Sequence, residues 1–410
     1  MVTAPAAGSS RPSNRNVGVL ALSIFALALG EELWQAYIPA YLTALGASGV
    51  VVGLFGSSKD LLDSVYQYPG GRLADRVGRR HALRLFTAVA VAGYVIYAVA
   101  PGWPLMFAGL AGVMAWKAGA FPATFAVIGD SLPPERRATA FSIQSILVRL
   151  PRVIGAPLGG LAIASLGTTA GVRLCFILTI VLALAVLAVQ QSGLHDPPGT
   201  GRGATSGRAD RSAVSLPRTL RRLLVADCLV RIGEGVAASF IVLFVIQVRG
   251  FSAAEFGVLY AVQQAVAIVS YLPGGRVADR AGRDPIVAVT FVFFALFPLS
   301  VRLAASYPAL MAAFVVGGLK EIGEPARKSL IVDLAPDERR ASTVGLYYAI
   351  RNFLVVPAGA IGGLLWQQSP HLPLQAAFAV SAMGLLLFLV TSGAVRARAA
   401  GSGSGSAGVK

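Results

Sequence analysis

Residues 70–80 read Gly70-Gly71-Arg72-Leu73-Ala74-Asp75-Arg76-Val77-Gly78-Arg79-Arg80 and follow Pro69. Nearly the same order returns after Pro273, as Gly274-Gly275-Arg276-Val277-Ala278-Asp279-Arg280-Ala281-Gly282-Arg283-Asp284. Shorter matches accompany it: Gly30-Glu31 returns as Gly233-Glu234, Lys117 as Lys320, and Glu135-Arg136-Arg137-Ala138 as Glu338-Arg339-Arg340-Ala341. A chance recurrence of this length and order is very improbable. The chain is therefore a duplication of a unit about half its length.

The composition indicates a membrane protein. Hydrophobic residues make up 55% of the 410 positions and charged residues only 13%, whereas a soluble domain carries about 25% charged residues. The formal net charge of +16 does not indicate nucleic-acid binding, because the excess arginines lie in short loops between apolar stretches. No metal-ligand cluster and no nucleophile–base arrangement is visible in the sequence, so neither a metal site nor an enzyme is expected.

Twelve apolar segments are each near or above the roughly 20 residues that a helix needs to cross a bilayer. Helices are expected because no backbone polar group can remain unpaired in lipid. The predicted fold class is therefore an all-α membrane protein. The twelve predicted spans are 17–45, 49–71, 81–100, 104–129, 138–166, 171–190, 221–249, 252–275, 285–304, 308–332, 341–366 and 371–395.

The predicted organisation is two six-helix bundles, 17–190 and 221–395, joined by a linker at 191–217 that is rich in Gly, Ser, Arg and Pro. Residues 1–16 and 396–410 are expected to be disordered tails. Arginines concentrate in the loops at one end of the spans, in the linker and in both tails, and basic loops stay in the cytoplasm. We therefore expect a multi-pass protein of the cytoplasmic membrane, with both termini and the linker in the cytoplasm.

The repeated stretch resembles the loop signature of the major facilitator superfamily, Gly-x-Leu-Ala-Asp-Arg-x-Gly-Arg-Arg, which lies between transmembrane helices 2 and 3. The first copy matches every defined position, and the second departs at Val277 and Asp284. The resemblance implies a twelve-helix carrier with two pseudo-symmetric halves that works by alternating access. In that family, helices 3, 6, 9 and 12 form the outer scaffold and the others line a central cavity.

Charged side chains inside the spans agree with this partition. Each costs about 2.5–3.5 kcal/mol at mid-bilayer even on the lenient insertion scale, yet spans 1, 2, 4, 5, 7, 10 and 11 contain many, and the interiors of spans 3, 6, 9 and 12 contain none. The basic residues are Lys59, Lys117, Arg149, Arg152, Arg231, Lys320, Arg327, Lys328 and Arg351. The acidic residues are Glu31, Glu32, Asp60, Asp63, Asp227, Glu234, Glu321 and Glu324.

The candidate substrate and proton cavity comprises Glu31, Lys59, Asp63, Lys117, Arg149, Arg152, Arg231, Glu234, Lys320, Glu324 and Arg351. Titratable acids beside basic groups in a wet cavity suit proton coupling, and Glu31 and Glu234 are the first choices for it. The spacing of Asp227, Arg231 and Glu234 places them on one helix face. A purely structural ion-pair network explains the same residues, so this alternative stays open.

The repeated loops are interpreted as a cytoplasmic gate, which comprises Gly71, Asp75, Arg76, Gly78, Arg79, Glu135 and Arg136 in the first half and Gly275, Asp279, Arg280, Gly282, Arg283, Glu338 and Arg339 in the second. The glycines permit a tight turn and close helix approach. Asp75 and Asp279 suit the positive end of a neighbouring helix. By the resemblance, each aspartate would brace the cytoplasmic side of the opposite half and hold the carrier outward-facing. The alternative is that the arginines of these loops only set the membrane topology.

The functional hypothesis is proton-coupled export, or antiport, of a small charged or zwitterionic solute or drug. The stretch Gly155-Ala156-Pro157-Leu158-Gly159-Gly160 partly resembles the antiporter signature of drug exporters, although helix packing by small residues explains it equally well. The alternatives are a proton-coupled importer of an organic anion and, more remotely, a non-transporting sensor on a carrier fold. No cofactor beyond the proton gradient is expected. The expected partners are a small-molecule substrate and the lipid bilayer, with the chain a monomer.

Overall fold

The computed structural model of the chain describes residues 10–77, 79–116, 134–193, 216–336 and 340–403. Within these ranges every regular element is helical, so the predicted all-α fold class is confirmed. Seven helices in the described ranges are long and apolar enough to cross a membrane. Of the other predicted spans, the first and tenth are interrupted, the second and fifth carry charges, and the fourth is described only in part.

The first half consists of α1 (Ser10–Glu32), a 3-10 turn (Gln35–Tyr37), α2 (Ile38–Ala44), α3 (Gly49–Val77), α4 (Arg79–Val99), α5 (Trp103–Met114), α6 (Pro134–Leu166) and α7 (Thr168–Gly193). The second half consists of α8 (Arg218–Leu243), a π-helical turn (Phe244–Val248), α9 (Ala253–Ala281), α10 (Arg283–Leu303), α11 (Tyr307–Leu319), α12 (Glu324–Asp333), α13 (Arg340–Val355), α14 (Ala358–Gln368) and α15 (Leu372–Gly403).

The helix bounds differ from the predicted segments at several places. α1 begins at Ser10 and α15 ends at Gly403, so both overlap the ranges predicted as tails. Most of the predicted linker, residues 194–215, lies outside the described residues, as do residues 117–133 of the fourth span and the loop after it.

The first and tenth spans, which were predicted to be continuous, are interrupted. The first breaks at Leu33-Trp34, and α2 then starts with Pro39 in its first turn. The tenth breaks over Lys320–Gly323, and α12 then starts with Pro325 in its first turn. Proline has no amide hydrogen to donate to the preceding turn, so it is accommodated best where a helix begins. Each break lies beside glutamates that were predicted to be functional.

The glycines of the repeated stretch were predicted to permit a tight turn and close helix approach, and in the second copy these two roles fall on different glycines. α3 runs through Gly70-Gly71 to Val77, and α9 runs through Gly274-Gly275 to Ala281. Gly274 instead allows close packing, because a Cβ there would collide with the carbonyl oxygen of Ile322 in the break of the tenth span. The turn falls at Gly282, whose φ of 84° suits glycine.

By its internal contacts the chain forms two compact units. The first contains Met1–Ser48, Ser58–Arg211 and Val245–Gln264, and the second contains Gly49–Ser57, Ser212–Phe244 and Ala265–Lys410. The two sequence halves thus exchange one short segment each. In the first unit, Tyr37 donates its hydroxyl hydrogen to the carbonyl of Ala156 at 2.6 Å and lies 3.1 Å from that of Ala253. In the second unit, Ser57 Oγ accepts the amide of Ala360 at 3.0 Å.

Each unit repeats the same packing pattern. In the first, α1 packs on α6 and α7, and α4 packs on α5 and α7. In the second, α8 packs on α14 and α15, and α10 packs on α11 and α15. These pairs correspond one to one under the sequence repeat. The predicted duplication is therefore visible in the helix packing.

Candidate functional site

The second unit contains a connected set of buried charges, which we call the ion-pair network. Helix α8 presents three of its members on one face, as the spacing predicted. The break after α11 supplies the next one, α12 supplies three more, and α13 supplies the last. The network comprises Asp227, Arg231, Glu234, Lys320, Glu324, Arg327, Lys328 and Arg351.

Asp227 and Arg327 form the centre of the network. Both side chains are 1% exposed, and the Arg327 guanidinium contacts both carboxylate oxygens of Asp227, with Nη1 2.6 Å from Oδ2. Tyr347 donates its hydroxyl hydrogen to the same Oδ2 at 3.0 Å. A buried charge pair is tolerated only when its geometry and remaining hydrogen bonds are good, and this arrangement meets that condition.

Glu324 and Glu234 extend the network along α8. Arg327 Nη2 donates to Glu324 Oε2 at 2.5 Å, and Arg231 Nη2 lies 3.4 Å from the same oxygen. Arg231 Nη1 donates to Glu234 at 2.7 Å, and Lys320 Nζ donates to the other Glu234 oxygen at 2.5 Å. Acidic and basic groups therefore alternate from the centre of the network to Glu234.

Aromatic rings border the basic groups. The Arg231 guanidinium and the Lys320 ammonium each lie 5.1 Å from the ring centroid of Phe294, and Lys320 lies 5.6 Å from that of Phe297. Cations over ring faces at such distances are stabilised by about 0.5–2 kcal/mol. These rings belong to α10, a helix that was predicted to be scaffold.

The break in the tenth span determines where the network residues lie. Lys320 follows the last turn of α11, and Glu324 opens α12. A carboxylate in the first turn of a helix is stabilised by the helix dipole. Gly323 is required there because a Cβ would collide with the Thr290 hydroxyl and come close to the Ile286 carbonyl oxygen.

In the first unit, Glu31 lies at the last turn of α1 and is 5% exposed. It accepts a hydrogen bond from the Tyr94 hydroxyl at 2.6 Å. Trp34 lies beside it and packs edge-on against the rings of Tyr94 and Tyr97, at centroid distances of 6.0 and 5.6 Å. The equivalent glutamates of the two halves thus have different surroundings.

The arginines of α6 were predicted to pair with Glu31 or a substrate anion. The structure pairs Arg152 with Glu32, the residue after Glu31, with Nε 3.0 Å from Oε1. The reason is the close approach of α6 to the break in the first span, where a Cβ on Gly155 would overlap the Glu32 backbone. Arg149 lies one turn earlier on α6 and is partly buried.

The remaining predicted cavity residues are less well connected. Lys59 lies 3.8 Å from Asp60, a different partner from the Asp63 suggested by spacing, and both side chains of this pair are about two-fifths exposed, 41% and 39%. Asp63 is partly buried on α3. Lys117 lies outside the described residues.

The predicted gate is described only in part. Arg76 and Arg280 are exposed in the last turns of α3 and α9, and Arg283 forms an ion pair with Asp333 within the second unit. Glu135 and Arg136 lie in the first turn of α6 and Gly71 and Gly275 lie in helices. Gly78, Glu338, Arg339 and the side chains of Asp75, Arg79 and Asp279 lie outside the described residues.

Some site residues were absent from the predicted cavity set. Asp227 and Arg327 had been recognised as intramembrane charges, but nothing in their spacing showed that they pair across 100 residues of sequence. Tyr94 had no signal, because a tyrosine within an apolar span is typical of packing. The offset of 204 between α4 and α10 relates Tyr94 to Pro298, so the repeat does not point to a hydroxyl at this position.

The chain is similar to known membrane transporters over most of its length. The sequence profile of the Major Facilitator Superfamily matches residues 20–226 and again residues 223–406. An uncharacterized MFS-type transporter of Methanocaldococcus jannaschii is 22% identical over 93% of this chain and 96% of its own length. The quinolone resistance protein NorA of Staphylococcus aureus is 24% identical over 143 residues, which are 35% of this chain and only 36% of NorA.

Solved structures share the fold at low identity. A bacterial homolog of the human lysosomal transporter Spinster, in an inward-facing and occupied conformation, superposes with a TM-score of 0.73 at 18% identity, over 94% of this chain and 98% of its own. The nucleoside transporter NupG superposes with a TM-score of 0.76 at 11% identity, over 92% and 99%. At these identities the likeness concerns the fold alone.

Proposed function

This chain belongs to the major facilitator superfamily of membrane transporters, and on that premise we propose that it is a proton-coupled exporter of a small charged or zwitterionic solute or drug. The observation that carries the proposal is the ion-pair network, in which buried carboxylates are held by basic groups beside an interrupted helix. Interrupted helices at mid-membrane are where carriers of other families bind solutes and ions.

Glu31 and Glu234 are the proposed proton-coupling residues, and each lies in its own unit. Glu234 contacts both Arg231 and Lys320, so protonation of this carboxylate would release two cations. Such a release changes which groups a substrate can bind, and coupling of a proton to a solute requires such a difference between states. A network with a solely structural role would show no such coupling.

Export is favoured by the partial likeness to NorA, a protein named for quinolone resistance, and by the stretch Gly155–Gly160. That stretch packs tightly: a Cβ at Gly159 would collide with the Leu33 carbonyl, and one at Gly160 with the Ala253 carbonyl. The second candidate, a proton-coupled importer of an organic anion, is favoured by the excess of basic groups in the network.

The test uses the full-length chain in inside-out vesicles with an acid interior and a zwitterionic quinolone as the probe. We expect gradient-driven quinolone accumulation by the wild type. For Glu31→Gln and Glu234→Gln, quinolone accumulation should fall to the level of vesicles without the protein, because a glutamine cannot carry the proton.

The matched control is Glu255→Gln. Glu255 caps the start of α9, where it accepts from the Ser252 amide at 2.8 Å, and glutamine can serve the same capping role. It should accumulate quinolone like the wild type. Quinolone accumulation by the wild type that does not depend on the proton gradient would contradict proton coupling. Gradient-driven uptake of an organic anion in right-side-out vesicles would establish the importer instead.

A further inference from the structure

We infer that Arg351, in the second unit, binds a carboxylate or phosphate group of the transported solute. This inference rests on the proposed function, because it assigns a chemical class to the substrate. Three independent features of the described residues support it: the charge balance of the network, the saturation of Asp227, and the contacts of Arg351 itself.

The charge balance leaves cations in excess. Among the described residues, the network joins five basic side chains to three carboxylates. Glu321, in the break of the tenth span, accepts from the Tyr271 hydroxyl at 3.1 Å, and adding its charge still leaves basic groups in the majority. Lys328 is 60% exposed, whereas Arg351 is 14% exposed. Solvent can screen Lys328, so among the buried basic groups of the network Arg351 is the one whose carboxylate contact is longest, at 3.5 Å.

Asp227 cannot serve as a full partner for Arg351. Its two oxygens already accept from the Arg327 guanidinium, and Oδ2 also accepts from the Tyr347 hydroxyl. Arg351 Nη1 lies 3.5 Å from that oxygen, and it makes no hydrogen bond with any residue that the structure describes. A buried donor without an acceptor is costly, so such groups in native proteins call for a ligand or another explanation.

The other contacts of Arg351 orient it without neutralising it. Its Nε and Nη2 donate to the neutral Asn352 Oδ1 at 3.3 and 3.1 Å, and its guanidinium lies 4.6 Å from the ring centroid of Tyr348. The guanidinium of arginine is a rigid planar fork that fits planar carboxylates and phosphates. The geometry therefore suits an anionic group of the solute.

The test measures binding of glutarate and of inorganic phosphate to the purified full-length chain by calorimetry, in nanodiscs of neutral phosphatidylcholine. We expect at least one anion to bind the wild type. Arg351→Gln should weaken that binding about tenfold or more, the usual loss for one charge-assisted contact. Arg351→Lys should weaken it less, because lysine keeps the charge and loses the fork.

Arg222→Gln is the matched control, since it makes the same substitution at an exposed position of α8 outside the network. It should bind the anion within about twofold of the wild type, because exposed charges are screened by solvent and salt. Equal losses in Arg351→Gln and Arg222→Gln would overturn the inference, and so would a wild type that binds neither anion. Thermal melts of Arg351→Lys show whether the fold is intact.

Two further measurements distinguish a lipid headgroup from a transported solute, and this inference from the proposed function. If phosphatidylglycerol in the nanodiscs abolishes anion binding to the wild type, the ligand is a lipid headgroup and the assignment to the solute is overturned. Quinolone transport under a proton gradient is measured on the same variants. Transport without any anion binding would overturn only this inference, whereas anion binding through Arg351 without gradient-driven transport would overturn only the proposed function.

Discussion

Two glutamates that occupy equivalent positions in the repeated sequence have different hydrogen-bonding partners. Glu31 accepts from a neutral hydroxyl, that of Tyr94, and Glu234 accepts from Arg231 and Lys320. Helices α4 and α10 correspond at an offset of 204, so Tyr94 corresponds to Pro298. The second half therefore has no hydroxyl donor at the position equivalent to Tyr94.

Tyr94→Phe should lower the free energy of unfolding by about 1.5–3 kcal/mol, the usual contribution of a hydrogen bond to a charged group. Its matched control is Tyr97→Phe in the same aromatic cluster. The Tyr97 hydroxyl is buried and has no hydrogen-bond partner in the described part of the chain, so its removal should be neutral or stabilising. Thermal unfolding in detergent, followed by tryptophan fluorescence, measures both variants.

Equal destabilisation by the two phenylalanine substitutions would show that the Tyr94 hydroxyl does not hold Glu31. Such a result would also weaken the assignment of Glu31 to proton coupling, because the carboxylate would then have another main partner.

Among the helices that the structure describes, the two closest approaches, at Gly159 and Gly274, occur where a glycine faces a break in another span. Gly155 and Gly159 of α6 face the break after α1, and Gly274 of α9 faces the break before α12. Backbone groups near these breaks lack regular helical partners, so the neighbouring helix must fit closely around them. Small residues permit that fit in membrane helices.

Gly159→Ala should destabilise the fold by about 1–3 kcal/mol or more, the usual cost of overpacking, since the new methyl group would collide with the Leu33 carbonyl. Gly345→Ala is the control, because Gly345 lies within α13 and nothing lies within 4 Å of a Cβ placed there. That control should gain about 0.5–1 kcal/mol from helix propensity. The melting temperatures of the two variants compare these effects.

If Gly159→Ala has the same melting temperature as the wild type, α6 can move away from the break in the first span at little cost. The stretch Gly155–Gly160 would then need a reason other than packing.

Helices were easier to predict than their interruptions. Long apolar runs such as 372–391 must be helical in lipid, whatever their neighbours. A proline alone does not show that a helix breaks near Pro39 or Pro325, because membrane helices also tolerate proline in their interior. Pro298, for example, lies inside α10. Sequence spacing therefore predicted the Arg231–Glu234 pair within one helix, but it could not locate the partner of Asp227.

For the whole molecule, the sequence repeat predicted that the two units would have the same helix packing, and this is confirmed. It could not predict the exchange of Gly49–Ser57 and Val245–Gln264 between the units. That exchange depends on contacts such as Gly53 against the Gly359 carbonyl, which join residues about 300 positions apart in the sequence.

The orientation in the membrane is tested by single cysteines. The native Cys175 and Cys228 are both buried, so a membrane-impermeant maleimide should leave the wild type unlabelled. Ser48 and His81 are exposed near opposite ends of α3. Because basic loops stay in the cytoplasm, Ser48→Cys should be labelled in intact cells and His81→Cys only after permeabilisation. The reverse pattern would place both termini outside.

The burial of Asp227 against Arg327 also has a consequence for biogenesis. Arg231 and Glu234 can neutralise each other as soon as α8 forms, but Asp227 needs a partner that lies 100 residues further along the chain. At a synthesis rate of about 5–20 residues per second, the ribosome delivers that arginine about 5–20 s later. During this interval the carboxylate of α8 would be costly in lipid. We therefore expect α8 to remain at the insertion machinery until α12 emerges.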